Sequence, residues 1–245
     1  MNIKHRKKKQ KFTLTKKQRA ILIGSLLGDA NLNKRGKDFR VLFKHSINQL
    51  PFLNWKRKQF NSITGMKVNI FEQKVKGKEY GFGQFVTLSH RSFTELRKVF
   101  YKGSKKIVPL NILEILKEPL SLAVWIMDDG ARDNSGMTIQ THSFSKMGVK
   151  RLIKTILINF GICSNIRTNK KKSIIYIPKS QIRILKETVK DYILSEYKYK
   201  FPNPVETIRQ TRHFLMISKK MTGRYSPTSV ATQRDKQKWL IHLSL

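Results

Sequence analysis

The chain has 245 residues, with 51 Lys and Arg against 15 Asp and Glu, and a formal net charge of +36. A hydrophobic fraction of 39% supports a core and excludes wholesale disorder, while the charge excess calls for a polyanionic partner, nucleic acid before a membrane surface. No apolar run approaches the ~20 residues of a membrane span, and the single cysteine, Cys163, excludes an internal disulfide or a Cys-rich zinc site.

Residues 1–12 read as a basic arm. Its core, KHRKKKQK from Lys4 to Lys11, lacks both the apolar segment of a secretory signal and the serines of a transit peptide. Such a run is either solvated or laid along phosphates. The first ordered element is expected at AILIGSLLGDA, Ala20 to Ala30, with Thr15 and Gln18 forming a capping box upstream. This helix is apolar on nearly every side, which implies burial all round, and it ends on Asp29. An extended segment, FRVLF, then runs into Lys44, His45 and Ser46, and a helical stretch follows that is expected to stop at Gly65. Two strands, MKVNIFEQKV and FGQFVTLS, flank a turn rich in lysine. A helix, RSFTELRKVF, and the segment KKIVP, with Lys106 and Pro109, close the unit.

The same plan recurs. LSLAVWIMDDG, Leu120 to Gly130, is a second all-apolar helix that starts at Pro119 and ends on Asp129. MTIQT leads to His142 and Ser143, a helix stops at Gly161, and the strands ICSNIRTN and SIIYIP follow. A helix, KSQIRILKETVKDYI, precedes YKFP, with Lys200 and Pro202. The spacing from aspartate to histidine is 16 and then 13 residues, and from aspartate to lysine 77 and then 71. Two copies of an αββαββα plan are therefore expected, over 13–110 and 111–206, joined near Lys105 to Glu118. The fold class is α+β: a saddle of antiparallel strands whose halves pack about a pseudo-twofold axis through the two apolar helices. Residues 207–245 form a basic extension, compatible with disorder or with a few helical turns.

Gly24 and Gly28 in the first apolar helix, with Ser121 and Ala123 in the second, allow close approach. Asp29 and Asp129 would then meet at the helix ends, where like charge and the helix dipole both oppose them. Hard divalent cations, Mg²⁺ or Mn²⁺, answer that repulsion. Each aspartate alone could be a helix cap or a partner for a surface lysine; two at matching places argue for a site. Asp128, opposite Gly28 in the repeat, reads as a structural carboxylate.

LIGSLLGDA and LAVWIMDDG resemble the two signature helices of the single-chain LAGLIDADG homing endonucleases, over residues from about 13 to 206. The likeness is closest to the intron-encoded subgroup with GD in one helix and MDDG in the other. It departs at Ala30 and Val124, where the consensus has glycine, without removing a ligand. The resemblance implies that Asp29 and Asp129 hold the catalytic metals, that Lys106 and Lys200 lie near the scissile phosphates, and that His45 and His142 belong to the active-site water network. Each histidine could instead cap the helix that follows it. The strands would enter the major groove. Their base-reading candidates are Arg40, Lys44, Gln73, Lys74, Gln84 and Thr87 in the first unit, and Gln140, Arg167, Asn169, Lys172 and Tyr176 in the second. A one-residue shift in register would turn such a set over. The turn lysines Lys76, Lys78, Lys170 and Lys171 would meet phosphates.

A site-specific, metal-dependent double-strand DNA endonuclease with a long asymmetric target is the expected function, acting as a monomer. An RNA-binding intron maturase on the same scaffold is the alternative, and a plain basic binding module the third. The family and the Lys- and Ile-rich composition point to an organelle, the mitochondrion ahead of the chloroplast.

Overall fold

The computed structural model describes residues 12–202. The basic arm, apart from Phe12, and the extension over 207–245 lie outside the described residues. The first helix, α1 (Lys16–Leu27), begins where expected: the Thr15 hydroxyl accepts from the Gln18 N–H, and the Gln18 side chain accepts from the Thr15 N–H. The second apolar helix is α5 (Pro119–Asp129), with Pro119 in its first turn. Ala20 to Leu27 and Leu120 to Asp128 are all buried, as helices apolar on every side require.

The two helices pack against each other at glycine. A Cβ at Gly24 would collide with the Ser121 carbonyl oxygen and stand 2.9 Å from the Val124 Cβ. The Ser121 hydroxyl donates to the Ala20 carbonyl at 2.8 Å, so even the polar atom in this seam is paired across it. Because the first obstacle is backbone, it cannot rotate away. Gly24→Val is expected to destabilise the protein by about 3 kcal/mol or more, at or beyond the upper end for overpacking. A urea unfolding midpoint equal to that of the wild type would show that the helices separate freely.

Two four-stranded antiparallel sheets flank this pair. The first comprises β1 (Asn31–Arg35), β2 (Asp38–Ser46), β3 (Asn69–Val75) and β4 (Lys78–Val86), in the order β1-β2-β4-β3. A short hairpin, β5 (Tyr101–Lys102) with β6 (Lys105–Lys106), closes the first unit. The second large sheet comprises β7 (Gly130–Asp133), β8 (Gly136–Ile139), β9 (Asn165–Asn169) and β10 (Lys172–Ile177), in the matching order β7-β8-β10-β9. Helices α2 (Leu50–Gln59) and α3 (Arg91–Phe100) belong to the first unit, and α6 (Lys146–Phe160) and α7 (Lys179–Val189) to the second. A short α4 (Ile112–Ile115) lies in the connection. The architecture is α+β, two αββαββα units packed through α1 and α5.

Two local expectations shift. The helix thought to run to Gly65 ends at Gln59 and gives way to a 3-10 turn at Asn61–Ile63, whereas Gly161 does cap α6 in the left-handed region at φ 68°. The last helix stops at Val189 instead of continuing to Ile193. Both outer hairpins turn on two residues with positive φ: Lys76 and Gly77, then Lys170 and Lys171.

Strand alternation sorts the side chains. Val41, Phe43 and His45 of β2, and Phe85 of β4, face the helices and are buried. Their neighbours in sequence face away.

Candidate active site

Register aligns the units residue by residue. Phe43 pairs with Phe85 in the first sheet and Ile139 with Ile175 in the second. Phe43 and Ile139 are therefore equivalent, and two residues on, His45 corresponds to Thr141. His142 is one residue out of step, exposed in the turn after β8, and is not brought to the helix ends. Thr141 is buried instead, its hydroxyl donating to the Ser173 carbonyl at 2.7 Å.

At the helix ends the chain concentrates charge. Gly28 lies against Asp128: a Cβ on Gly28 would stand 2.6 Å from both the Asp128 Cβ and its Oδ2. Asp29 and Asp129 are the residues that follow these two. Lys106 reaches back from β6 to donate to the Gly28 carbonyl at 2.7 Å and the Ala30 carbonyl at 2.9 Å. Lys200, buried in the 3-10 turn Ser195–Lys200, donates to the Met127 carbonyl at 2.6 Å. Each lysine thus takes up backbone oxygens left unpaired at the C-terminus of one apolar helix.

The carboxylates repel. Burial, and then the charges of Asp29 and Asp128, push Asp129 up to about 8, with Lys106 and Lys200 opposing. Asp29 is also raised, by burial and by Asp128, although 46% of its side-chain surface stays open: protein atoms crowd the carboxylate without covering it. Burial lowers both Lys106 and Lys200, and the aspartates work against that shift.

Lys56 is the residue that sequence reasoning missed. It lies on α2, is wholly buried, and its ammonium pairs with Asp128 Oδ1 at 2.7 Å. The same nitrogen stands 3.2 Å from His45 Nε2 and 4.3 Å from the centre of the Phe52 ring. His45 is lowered to about 3 by burial and by Lys56, so its ring is neutral and its 3.5 Å approach to Asp29 is no ion pair. An ammonium can only donate, so Nε2 accepts and the proton sits on Nδ1, 3.2 Å from Gln49 Oε1 and 3.5 Å from Asp29 Oδ2.

Asp29, His45 and Asp128 offer ligand atoms within 4.8 Å of one another. Asp128 and His45 are engaged by Lys56, whereas neither Asp29 nor Asp129 forms a lysine ion pair of that kind among the described residues. Both are raised, first by burial and then by the neighbouring carboxylates, and both offer hard oxygen donors, which suit Mg²⁺ or Mn²⁺.

Away from the helix ends, cross-strand pairing places Arg40, Lys44, Gln73 and Gln84 on the open face of the first sheet. Lys44 donates to Gln73 Oε1 at 2.6 Å and lies 4.2 Å from the Phe82 ring centre. Two candidates fall on the other face. Lys74 pairs with Glu79 at 3.6 Å, and Thr87 is buried with its hydroxyl accepting from the Val41 N–H. Neighbouring strand residues point to opposite faces, so Lys74 cannot accompany Gln73, nor Thr87 accompany Gln84. In the second sheet Gln140, Arg167, Asn169, Lys172 and Tyr176 share one face by register. Arg167 binds Asp133 at 2.8 Å and stacks over Tyr176. Arg40 Nε and Gln140 Oε1 are buried with no hydrogen-bond partner among the described residues, an arrangement that an incoming polar ligand would relieve. Lys76, Lys78, Lys170 and Lys171 stand exposed at the hairpin tips.

Residues 19–185 match the LAGLIDADG DNA endonuclease family. Probable intron-encoded endonuclease 1 of Wickerhamomyces canadensis is 31% identical over 202 residues, 79% of this chain and 87% of that protein. Cytochrome b mRNA maturase bI2 of Debaryomyces hansenii is 30% identical over 198 residues, 78% of this chain and 75% of its own length. The solved structure of the homing endonuclease I-WcaI bound to its DNA recognition sequence superposes with a TM-score of 0.74 at 30% identity, over 80% of this chain and 91% of that one. By sequence and by fold alike, this chain belongs to the LAGLIDADG DNA endonuclease family.

Proposed function

We propose that this protein is a site-specific, metal-dependent endonuclease that cuts both strands of a long, asymmetric DNA target. The observation that carries this reading is the pair of crowded carboxylates, Asp29 and Asp129, which end two close-packed buried helices beside the half-buried Lys106 and the buried Lys200. A divalent cation held by these carboxylates, Mg²⁺ or Mn²⁺, would supply Lewis acidity toward a phosphodiester and activate water. Lys106 and Lys200 add fixed positive charge where a reacting phosphate gains negative charge. The open sheet faces present different side chains in the two units, so the two halves of the target differ. Two repeats in one chain provide the pairing that a homodimer would provide, so the protein acts as a monomer on double-stranded DNA.

The likeness to an intron-encoded endonuclease and to DNA-bound I-WcaI supports this reading. The likeness to a cytochrome b mRNA maturase favours a second role on intron RNA and an organellar setting, the mitochondrion ahead of the chloroplast. Among the described residues no helix is long and apolar enough to cross a membrane.

The test uses a supercoiled plasmid carrying the host gene's intron-free exon junction. Linear product is expected with Mg²⁺ and intact plasmid with EDTA; intact plasmid in both would overturn the reading. Lys106→Met and Lys200→Met are each expected to slow cleavage on the order of 10²-fold, by analogy with loss of an oxyanion donor. Each lysine serves one helix end, so the two strand cuts should slow unequally and nicked plasmid should accumulate. Wild-type time courses in both variants would make them ordinary structural lysines.

A further inference from the structure

The repeat places Asp29 and Asp129, Lys106 and Lys200, in matching positions, and one buried cluster breaks the match. Asp128 stands where the first helix has Gly28, and its whole side chain is buried. Its counter-charge comes from the other repeat, from Lys56 on α2, also wholly buried. Phe52, Lys56 and Phe60 follow one another at intervals of four residues, so Lys56 occupies the core-facing stripe of its helix, between two buried aromatic rings. A lysine there serves the site or nothing. Its ammonium is committed on one side to Asp128, 2.7 Å away, and on the other to His45 Nε2, 3.2 Å away. His45 in turn directs Nδ1 toward Asp29, 3.5 Å away. Asp128 Oδ2 also accepts from the Asp29 N–H at 3.4 Å, so the same carboxylate holds the backbone that carries Asp29.

Among the described residues the second unit has no such support. Thr141 takes His45's place in register and turns its hydroxyl to Ser173. The buried residues of α6 are Gly148, Val149, Leu152, Ile153, Thr155, Ile156 and Leu157, none of them basic.

We propose that Lys56 is a positioning residue for one half of the active site: anchored by Asp128, it fixes the His45 ring and through it the Asp29 carboxylate, while Asp129 has no such support among the described residues. The inference rests on the endonuclease reading. It makes the two strand cuts unequal by construction, because one metal-binding carboxylate is held by a rigid buried network and the other by its own helix end. Lys56 touches neither DNA nor reacting atoms in this scheme; it acts by orientation, and small losses of orientation slow reactions by factors of ten to a hundred.

The experiment compares wild type with Lys56→Met/Asp128→Asn, a double variant that removes both charges at nearly constant shape and leaves no lone buried charge. His45→Gln, which keeps the Lys56–Asp128 pair and removes only the ring that faces Asp29, serves as a second variant. Three quantities are read: the cleavage rate of each strand on a doubly end-labelled duplex with Mg²⁺, the affinity for the same duplex in Ca²⁺, and the thermal midpoint. The double variant is expected to shift the ratio of the two strand rates by on the order of 10-fold or more relative to wild type, with Ca²⁺ affinity within a few-fold. A merely structural role would slow both strands together, so an unchanged ratio overturns the proposal whatever the absolute rates. If the double variant does not fold, the strand ratio of His45→Gln decides in the same way. A wild-type chain that binds the duplex and cuts neither strand would overturn the endonuclease reading, and this inference with it.

Discussion

Asp29→Asn and Asp129→Asn are each expected to abolish double-strand cleavage with Mg²⁺ while target binding in Ca²⁺ survives. Losing one preorganised electrostatic partner costs on the order of 10² to 10³ in rate, and a lost metal ligand should cost at least that. Binding draws on many phosphate contacts far from these two side chains, so it should persist. Stability should move the other way. Asp129 has an ordinary value of 3.8 and is pushed up to about 8 in the folded chain. Between those values the unfolded chain releases a proton that the folded chain keeps. Stability from this group is therefore full below about pH 4 and is lost as pH rises toward 8. Asp29 and Asp128 are raised as well and act in the same direction. Metal-free Asp129→Asn should accordingly melt higher than metal-free wild type at pH 8, and the difference should shrink by pH 5. Divalent cation should raise the wild-type midpoint more at pH 8 than at pH 5, and much less in the variant. Full cleavage by either variant, or a lower melting point for Asp129→Asn at pH 8, would contradict the assignment.

The amino-acid pattern made much of this visible. Two helices apolar on every side, each closing on aspartate, could only be buried against something, and the glycines of the first named the contact. The αββαββα plan of both units followed because each alternates the same elements in the same sequence. What failed was parity and register. Gln73 with Lys74, and Gln84 with Thr87, cannot share a face of a regular strand, so at most one member of each pair can read bases from the open face. In the second unit the inner hairpin is shorter, with β8 only four residues long against nine in β2, and the conspicuous histidine lands one place beyond its true counterpart. Thr141 carries no signal that would have displaced His142. Lys56 was hidden by abundance, one basic residue among 51. Its signal was positional: four residues after Phe52 and four before Phe60, it falls on the apolar stripe of its helix. Asp128 gave the complementary hint, since a carboxylate inside an all-buried helix needs a cation nearby.

Target affinity is expected to fall steeply with salt, and the steepness should reside in the hairpin tips. The net charge of +36 is spread over the chain, but the exposed tips concentrate Lys76, Lys78, Lys170 and Lys171 beyond the open sheet faces. Each phosphate neutralised contributes about −0.9 to the slope of log affinity against log salt. If the protein meets six to ten phosphates, affinity should drop by on the order of 10³ to 10⁵ between about 50 and 200 mM salt. The tips have nothing else to do. Lys170 and Lys171 both hold positive φ, a conformation that glycine or asparagine adopts more readily, so lysine stands there against backbone preference. Replacing all four lysines with glutamine should flatten the slope by about 3 to 4 and weaken binding to specific and unrelated duplexes alike. The rate of cleavage at saturating protein should be little changed, because the tips are remote in sequence and sheet position from Asp29 and Asp129. Fluorescence anisotropy across a salt series, with wild type and the quadruple variant on the same duplex, measures both slopes. A wild-type slope near zero would remove the electrostatic account of binding. Equal slopes in the two proteins would move the phosphate contacts away from the tips, to the helices or to the terminal segments.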